Sequence, residues 1–113
     1  MAAAAHATQA LAERIAAVGA ASLDARTVGK AKEAIRDGLT VAAAGHAQRP
    51  VQILADYVRS LAARGEASVW GHGFRTSLAN AALVNAAAVH VLDYETMSDP
   101  STHAVSPVLP AAL

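Results

Sequence analysis

A chain of 113 residues can hold one domain with a hydrophobic core, and hydrophobic residues make up 54% of it while aromatics supply only 4%. Nine Lys and Arg balance nine Asp and Glu, and no block of like charge stands out, so neither a nucleic-acid surface nor an anionic membrane surface is indicated as a partner. The lack of cysteine excludes disulfides, a thiol nucleophile, thiolate zinc ligands and a cysteine-held iron–sulfur cluster within this segment.

The apolar content is mostly Ala with Leu and Val. Ala loses no side-chain entropy in a helix, whereas the β-branched and aromatic strand formers are sparse. The expected class is all-α, an Ala-rich helical bundle. The opening MAAAAHATQALAERIAAVGAAS carries Glu13 and Arg14 in its middle, so it reads as a first helix rather than a signal peptide. No stretch approaches the roughly 20 apolar residues of a membrane span, and the expectation is a soluble, cytoplasmic protein.

In chain order, Leu11, Ile15 and Val18 recur at helical spacing and Gly19 falls where the pattern stops. A second helix starts at Asp24 or Thr27 as cap, carries Val28, Ala31, Ile35 and Leu39 on one stripe and Lys30, Glu33 and Asp37 on a solvated face, and ends at Gly45. A third begins at Pro50, turns Leu54, Val58 and Leu61 inward and stops near Gly65. EASVWGHGFRTS then predicts a short extended piece and a turn at Gly71 to Gly73. The fourth helix, capped by Thr76 or Ser77, runs to about Leu92 and is apolar on nearly all sides, which predicts burial. Such a helix is hard to cover with three partners. Ser106 and Pro107 look like the cap and first turn of a fifth helix that Pro110 would strain, and no terminating signal precedes Leu113. Residues 1–113 are therefore expected to be an incomplete part of a larger helical domain.

Polar chemistry concentrates in HVLDYETMSDPSTH, directly after the apolar helix. His90 and Asp93 are three apart at a helix end, and the following loop lets Glu95, Asp99 and His103 fold back towards them. A carboxylate beside an imidazole fixes its tautomer and suits it to proton transfer. Two other readings stand beside this one. On composition alone the plainer reading leads, in which Asp93, Ser98 and Ser106 cap helices and His90 bonds its own last turn; a weaker one makes His90, Asp93, Asp99 and His103 a metal-ligand set, although no fixed ligand spacing such as HExxH is present. His72 and Arg75 at the glycine turn are candidate anion contacts. His6 and His46 are expected to be exposed and inert.

NAAAVHVLDYE followed by PSTHAVSPVLPAAL resembles the segment of MmgE/PrpD-family proteins in which an Asn-containing, Ala-rich helix leads into H-x-(Leu/Met)-D-(Phe/Tyr)-(Asp/Glu) and a downstream His. AKEAIRDGLTVAAAG resembles that family's Asp-containing second helix, so the resemblance spans nearly the whole chain. It implies the N-terminal part of a large helical domain, with a smaller lid domain elsewhere in a longer, commonly homodimeric protein. It also implies 2-methylcitrate dehydratase-like or cis-aconitate decarboxylase-like chemistry: proton transfer next to a carboxylate of a small polycarboxylate, with loss of water or carbon dioxide and without metal or other cofactor. On the same basis Asp93 and His103 are the catalytic residues, and His90, Thr96 and Thr102 contact substrate. The family's further basic residues lie downstream, which makes this chain alone a partial site. A non-catalytic helical scaffold that keeps the family fold is the alternative. Glu95, Thr96 and Met97 stand where many members read Asp-Asp-Thr, and His103, Ala104 and Val105 where His-Pro-Ser is usual.

Overall fold

The computed structural model describes residues 2–98 and 102–113, and the chain is mostly helical with two short antiparallel ribbons. Among the described residues no helix is long and apolar enough to cross a membrane. The unit ending at Lys32 contains α1 (Ala2–Ala17), a 3-10 turn at Ala20–Ser22 and the start of α2 (Ala25–Gly45). Leu11, Ile15 and Val18 keep their helical spacing but are exposed. Asp24, rather than Thr27, caps α2: its Oδ1 accepts the Thr27 amide at 2.6 Å, and that bond holds the carboxyl below the usual aspartate range.

The unit from Glu33 to Leu113 holds the core and the candidate site. Here α2 buries Gly38, Val41, Ala42 and Gly45, while Ile35 and Leu39 of the predicted inward stripe are 42% and 41% exposed. The buried face is set by how closely backbones approach rather than by the largest side chains. A Cβ on Gly45 would collide with the Ala88 carbonyl, and one on Gly38 would lie 2.6 Å from a Val105 methyl and 2.7 Å from a Leu109 methyl.

Helix α3 (Arg49–Ser60) carries Pro50 in its first turn, as its fixed φ and missing N–H predict. It buries Val51, Ala55 and Val58 and half-buries Leu54; Leu61 lies past its end and is exposed. Ala62, at φ 49°, turns the chain three residues before Gly65. The extended piece is a hairpin of β1 (Ala67–Val69) and β2 (Phe74–Thr76), in register Ala67↔Thr76 and Val69↔Phe74. Gly71 and Gly73 take φ of 76° and 68° in its turn. Arg59 reaches across from α3, donating to the His72 carbonyl at 3.1 Å and lying 4.5 Å over the Phe74 ring.

At the centre is α4 (Leu78–His90), which touches α3, both hairpin strands and α5 (Val105–Ala112). It buries Ala81, Val84, Asn85, Ala88 and Val89, whereas Leu78 and Leu83 are exposed, so the predicted all-round burial holds on one face only. Ser77 occupies the N-cap position without a side-chain cap bond. Asn85 acts as a surrogate peptide for the hairpin: its Oδ1 accepts the Trp70 amide at 2.9 Å and its Nδ2 donates to the Ser68 carbonyl at 3.1 Å. In α5 the N-cap is Ala104, two residues earlier than the sequence indicated, and the helix runs through Pro110, which is buried with Leu109. The proline removes only one intrahelical donor in an eight-residue helix.

Replacing Gly45 by Ala is expected to lower stability by about 1–3 kcal/mol, because the obstacle is a helix backbone that cannot swing aside. Gly29, also in α2, has nothing within 4 Å of an added Cβ, so Gly29→Ala should instead raise stability by about 0.5–1 kcal/mol. Urea denaturation of the two variants checks the opposite signs.

Candidate functional site

The last residue of α4 is His90, and the chain reverses at once behind it. Asp93 adopts φ 54° and its amide donates to the His90 carbonyl at 2.8 Å. This left-handed conformation is one that Asp tolerates better than most side chains. The reversal carries Glu95 back beneath His90, and a ribbon of β3 (Met97–Ser98) and β4 (Thr102–His103), with Met97 opposite His103, returns the second imidazole to the same place. Helix α5 follows directly.

Glu95 ties these pieces together. Its side chain has no exposed surface; Oε1 lies 2.8 Å from His90 Nδ1 and 3.4 Å from His103 Nδ1, and Oε2 accepts the Ser106 amide at 2.6 Å. Burial pushes the Glu95 carboxyl up, but hydrogen bonds from Ser106 and His90 and the charge of His103 outweigh it and hold the group below the usual glutamate range. The Ser106 amide is one of the donors that the start of α5 leaves unpaired, so the carboxylate also serves as that helix's cap.

The two imidazoles meet edge to face with centroids 4.7 Å apart. A bond from His90 Nδ1–H to Glu95 leaves Nε2 as the free lone pair on a half-exposed ring. His103 lies between two carboxylates, with Nε2 3.4 Å from Asp93 Oδ1, while its Nδ1 is buried and makes no hydrogen bond. Beside both rings runs an open groove of about 440 Å³ lined by Leu83, Ala86, Ala87, His90, His103, Ser106 and Pro107. Among the described residues its lining offers imidazole edges and apolar wall, and no guanidinium or ammonium group.

Of the residues expected at the site, His90, Asp93 and His103 come together. Thr96 donates its hydroxyl to Asp37 Oδ2 at 3.0 Å, which fastens the loop to α2, and Thr102 is exposed on β4. Asp37, expected on a solvated face, is half-buried by this contact. Asp99 lies outside the described residues. Among the described residues, the cluster suited to a metal is His90, Glu95 and His103, with one ligand atom of each within 4.8 Å of the others; it keeps both histidines of the set that the loop spacing suggested and adds Glu95. Glu95 is the residue that sequence reasoning undervalued. It looked like one of several loop carboxylates, although the anion-seeking start of a helix at Ser106-Pro107 was visible.

The glycine turn does not form an anion site with Arg75, whose guanidinium is occupied by the Gly65 and Glu66 carbonyls and Ser68 Oγ at 2.7–3.2 Å. His46 is half-buried rather than exposed: its Nδ1 pairs with the Ala43 carbonyl at 2.8 Å and its ring stands edge-on to His72, 5.9 Å away. Burial, reinforced by His46 and Arg59, holds the His72 imidazole below its ordinary pKa.

A helical domain whose buried carboxylate holds two imidazoles at the lip of a groove is the class that fold and site define. Residues 9–113 match the MmgE/PrpD N-terminal domain, and the chain belongs to the MmgE/PrpD family. No curated protein and no solved structure matches it.

Because the folded carboxyl of Glu95 is held low, its contribution to stability is full above the ordinary glutamate value of about 4.3 and disappears as pH falls through the lower folded value. Glu95→Gln should therefore cost about 1–3 kcal/mol at pH 7 and flatten the acid limb of the stability profile, measured by urea midpoints between about pH 3 and 7. At Asp93, Asn accepts the same backbone, so Asp93→Asn should leave the thermal midpoint nearly unchanged, whereas Asp93→Val should cost about 1–2 kcal/mol or more.

Proposed function

We propose that this chain supplies the N-terminal share of the active site of a lyase or isomerase acting on a small di- or tricarboxylate, in the manner of 2-methylcitrate dehydratase, by moving a proton at the carbon next to a carboxylate. One observation carries the reading: a fully buried Glu95 holds His90 and His103 side by side at a groove, with Asp93 against the outer nitrogen of His103.

In this reading Asp93 orients His103, and His103 exchanges the substrate proton. Glu95 fixes the His90 tautomer so that its Nε2 faces the groove as a hydrogen-bond acceptor for a substrate hydroxyl or carboxyl group. In the same reading Thr102, exposed beside His103, contacts substrate, while Thr96 acts by anchoring the loop to Asp37. A polycarboxylate also needs cationic partners, and the groove's lining has only its imidazoles. The remaining positive groups would come from further protein, as the family resemblance implies. A helical scaffold without catalysis is the competing reading, and proton exchange separates the two.

The test uses the protein as isolated from its native source, incubated in D2O with a panel of di- and tricarboxylates, following deuterium entry at the carbon next to a carboxylate and the appearance of unsaturated product. His103→Gln should slow both by about 10² or more with the fold intact by circular dichroism. Exchange that is unchanged in His103→Gln would sink the proton-transfer role, and no exchange with any acid would favour the scaffold.

A further inference from the structure

We infer that His90 Nδ1, Glu95 Oε1 and His103 Nδ1 form a binding site for a divalent transition-metal ion, Zn2+ foremost, with its open coordination position towards the groove. Two imidazoles and one carboxylate are a donor set that zinc accepts, with a further position left for water or an anion. A tetrahedral ion with bonds of about 2.0–2.1 Å keeps its ligand atoms roughly 3.4 Å apart. Here Glu95 Oε1 is 2.8 Å from one nitrogen and 3.4 Å from the other, and a ligand atom from each of the three residues lies within 4.8 Å of the other two. Small rotations of the His90 ring bring them into range.

Two further observations point the same way. His103 Nδ1 is buried and has no hydrogen-bond partner, a rare condition for a polar atom and one that a bound ion would relieve. The outward nitrogen of the same ring faces the Asp93 carboxylate at 3.4 Å, which is the carboxylate–histidine arrangement that orients metal-binding imidazoles and raises their basicity. Glu95 keeps its second oxygen on the Ser106 amide, so its orientation survives coordination. His90 must release its Nδ1 proton, and its solvent-facing Nε2 can carry one instead, so a neutral imidazole binds without change of charge.

Occupation of the site takes up the lone pairs at the inner edges of both rings and crowds the groove. Its consequence for turnover, inhibition by Zn2+, rests on the proton-transfer reading above; the binding itself does not.

The decisive experiment titrates the full chain with zinc chloride against a chromophoric competing chelator and follows the histidine ring signals by NMR. One ion per chain is expected, with the signals of His90 and His103 shifting together and those of His6, His46 and His72 unmoved. Glu95→Gln and His103→Gln should weaken binding at least tenfold, Asp93→Asn by about 10–100-fold as an outer-shell change, and His72→Gln not at all. Absence of a saturable site in the unaltered chain, a response centred on His46 and His72, or undiminished affinity in His103→Gln overturns the inference. In the turnover assay, zinc inhibition reversed by chelator supports both readings. Binding that leaves turnover intact supports the ion site and counts against proton transfer by these imidazoles.

Discussion

An ionised carboxylate removed from water must be compensated by hydrogen bonds or opposite charge, and Glu95 meets that demand by gathering its surroundings. The end of α4 presents His90, the ribbon returns His103, and the start of α5 turns the Ser106 amide towards it. The same two oxygen atoms thus join the imidazoles of the site to the start of α5.

Beneath this sits a core built on proximity. Gly45 against the Ala88 carbonyl, and Gly38 against Val105 and Leu109, let α2 lie close to α4 and α5. The chain can therefore make a dense core from Val and Ala with few aromatic residues. The hairpin adds a second kind of constraint, since Asn85 supplies to β1 the donor and acceptor that a neighbouring strand would otherwise give. Close approach on one side of α4 and polar matching on another pin the helix that ends at His90. A site on a rigid helix end, completed by a tightly tied loop, is suited to proton transfer, where small misplacement has a large effect on rate.

The helices were largely legible in the chain because their signals are local. Asp24, Pro50 and the glycines of the turn each act through their own φ or through amides a few residues away, and the structure places a boundary or turn at each. The family membership was legible for a related reason: H-x-L-D-Y-E and the downstream His form a dense local pattern. Less was legible where two faces of one helix compete. Ile35 and Leu39 make the stronger apolar stripe on α2, yet the glycine-bearing face is the buried one, because close packing depends on what the partner helix presents.

What the sequence determined by itself was therefore the helical class, most element boundaries, the family, and a concentration of polar side chains between His90 and His103. Propensity, capping and short-range spacing act within a few residues. The tertiary structure alone decided the partners: that Glu95 lies between the imidazoles, that Thr96 is bound to Asp37 fifty-nine positions away, and that Arg75 is consumed by the hairpin it was expected to arm. Those outcomes depend on how a buried charge and a set of unpaired amides are satisfied once the helices have met, and no property of the separate segments contains that information.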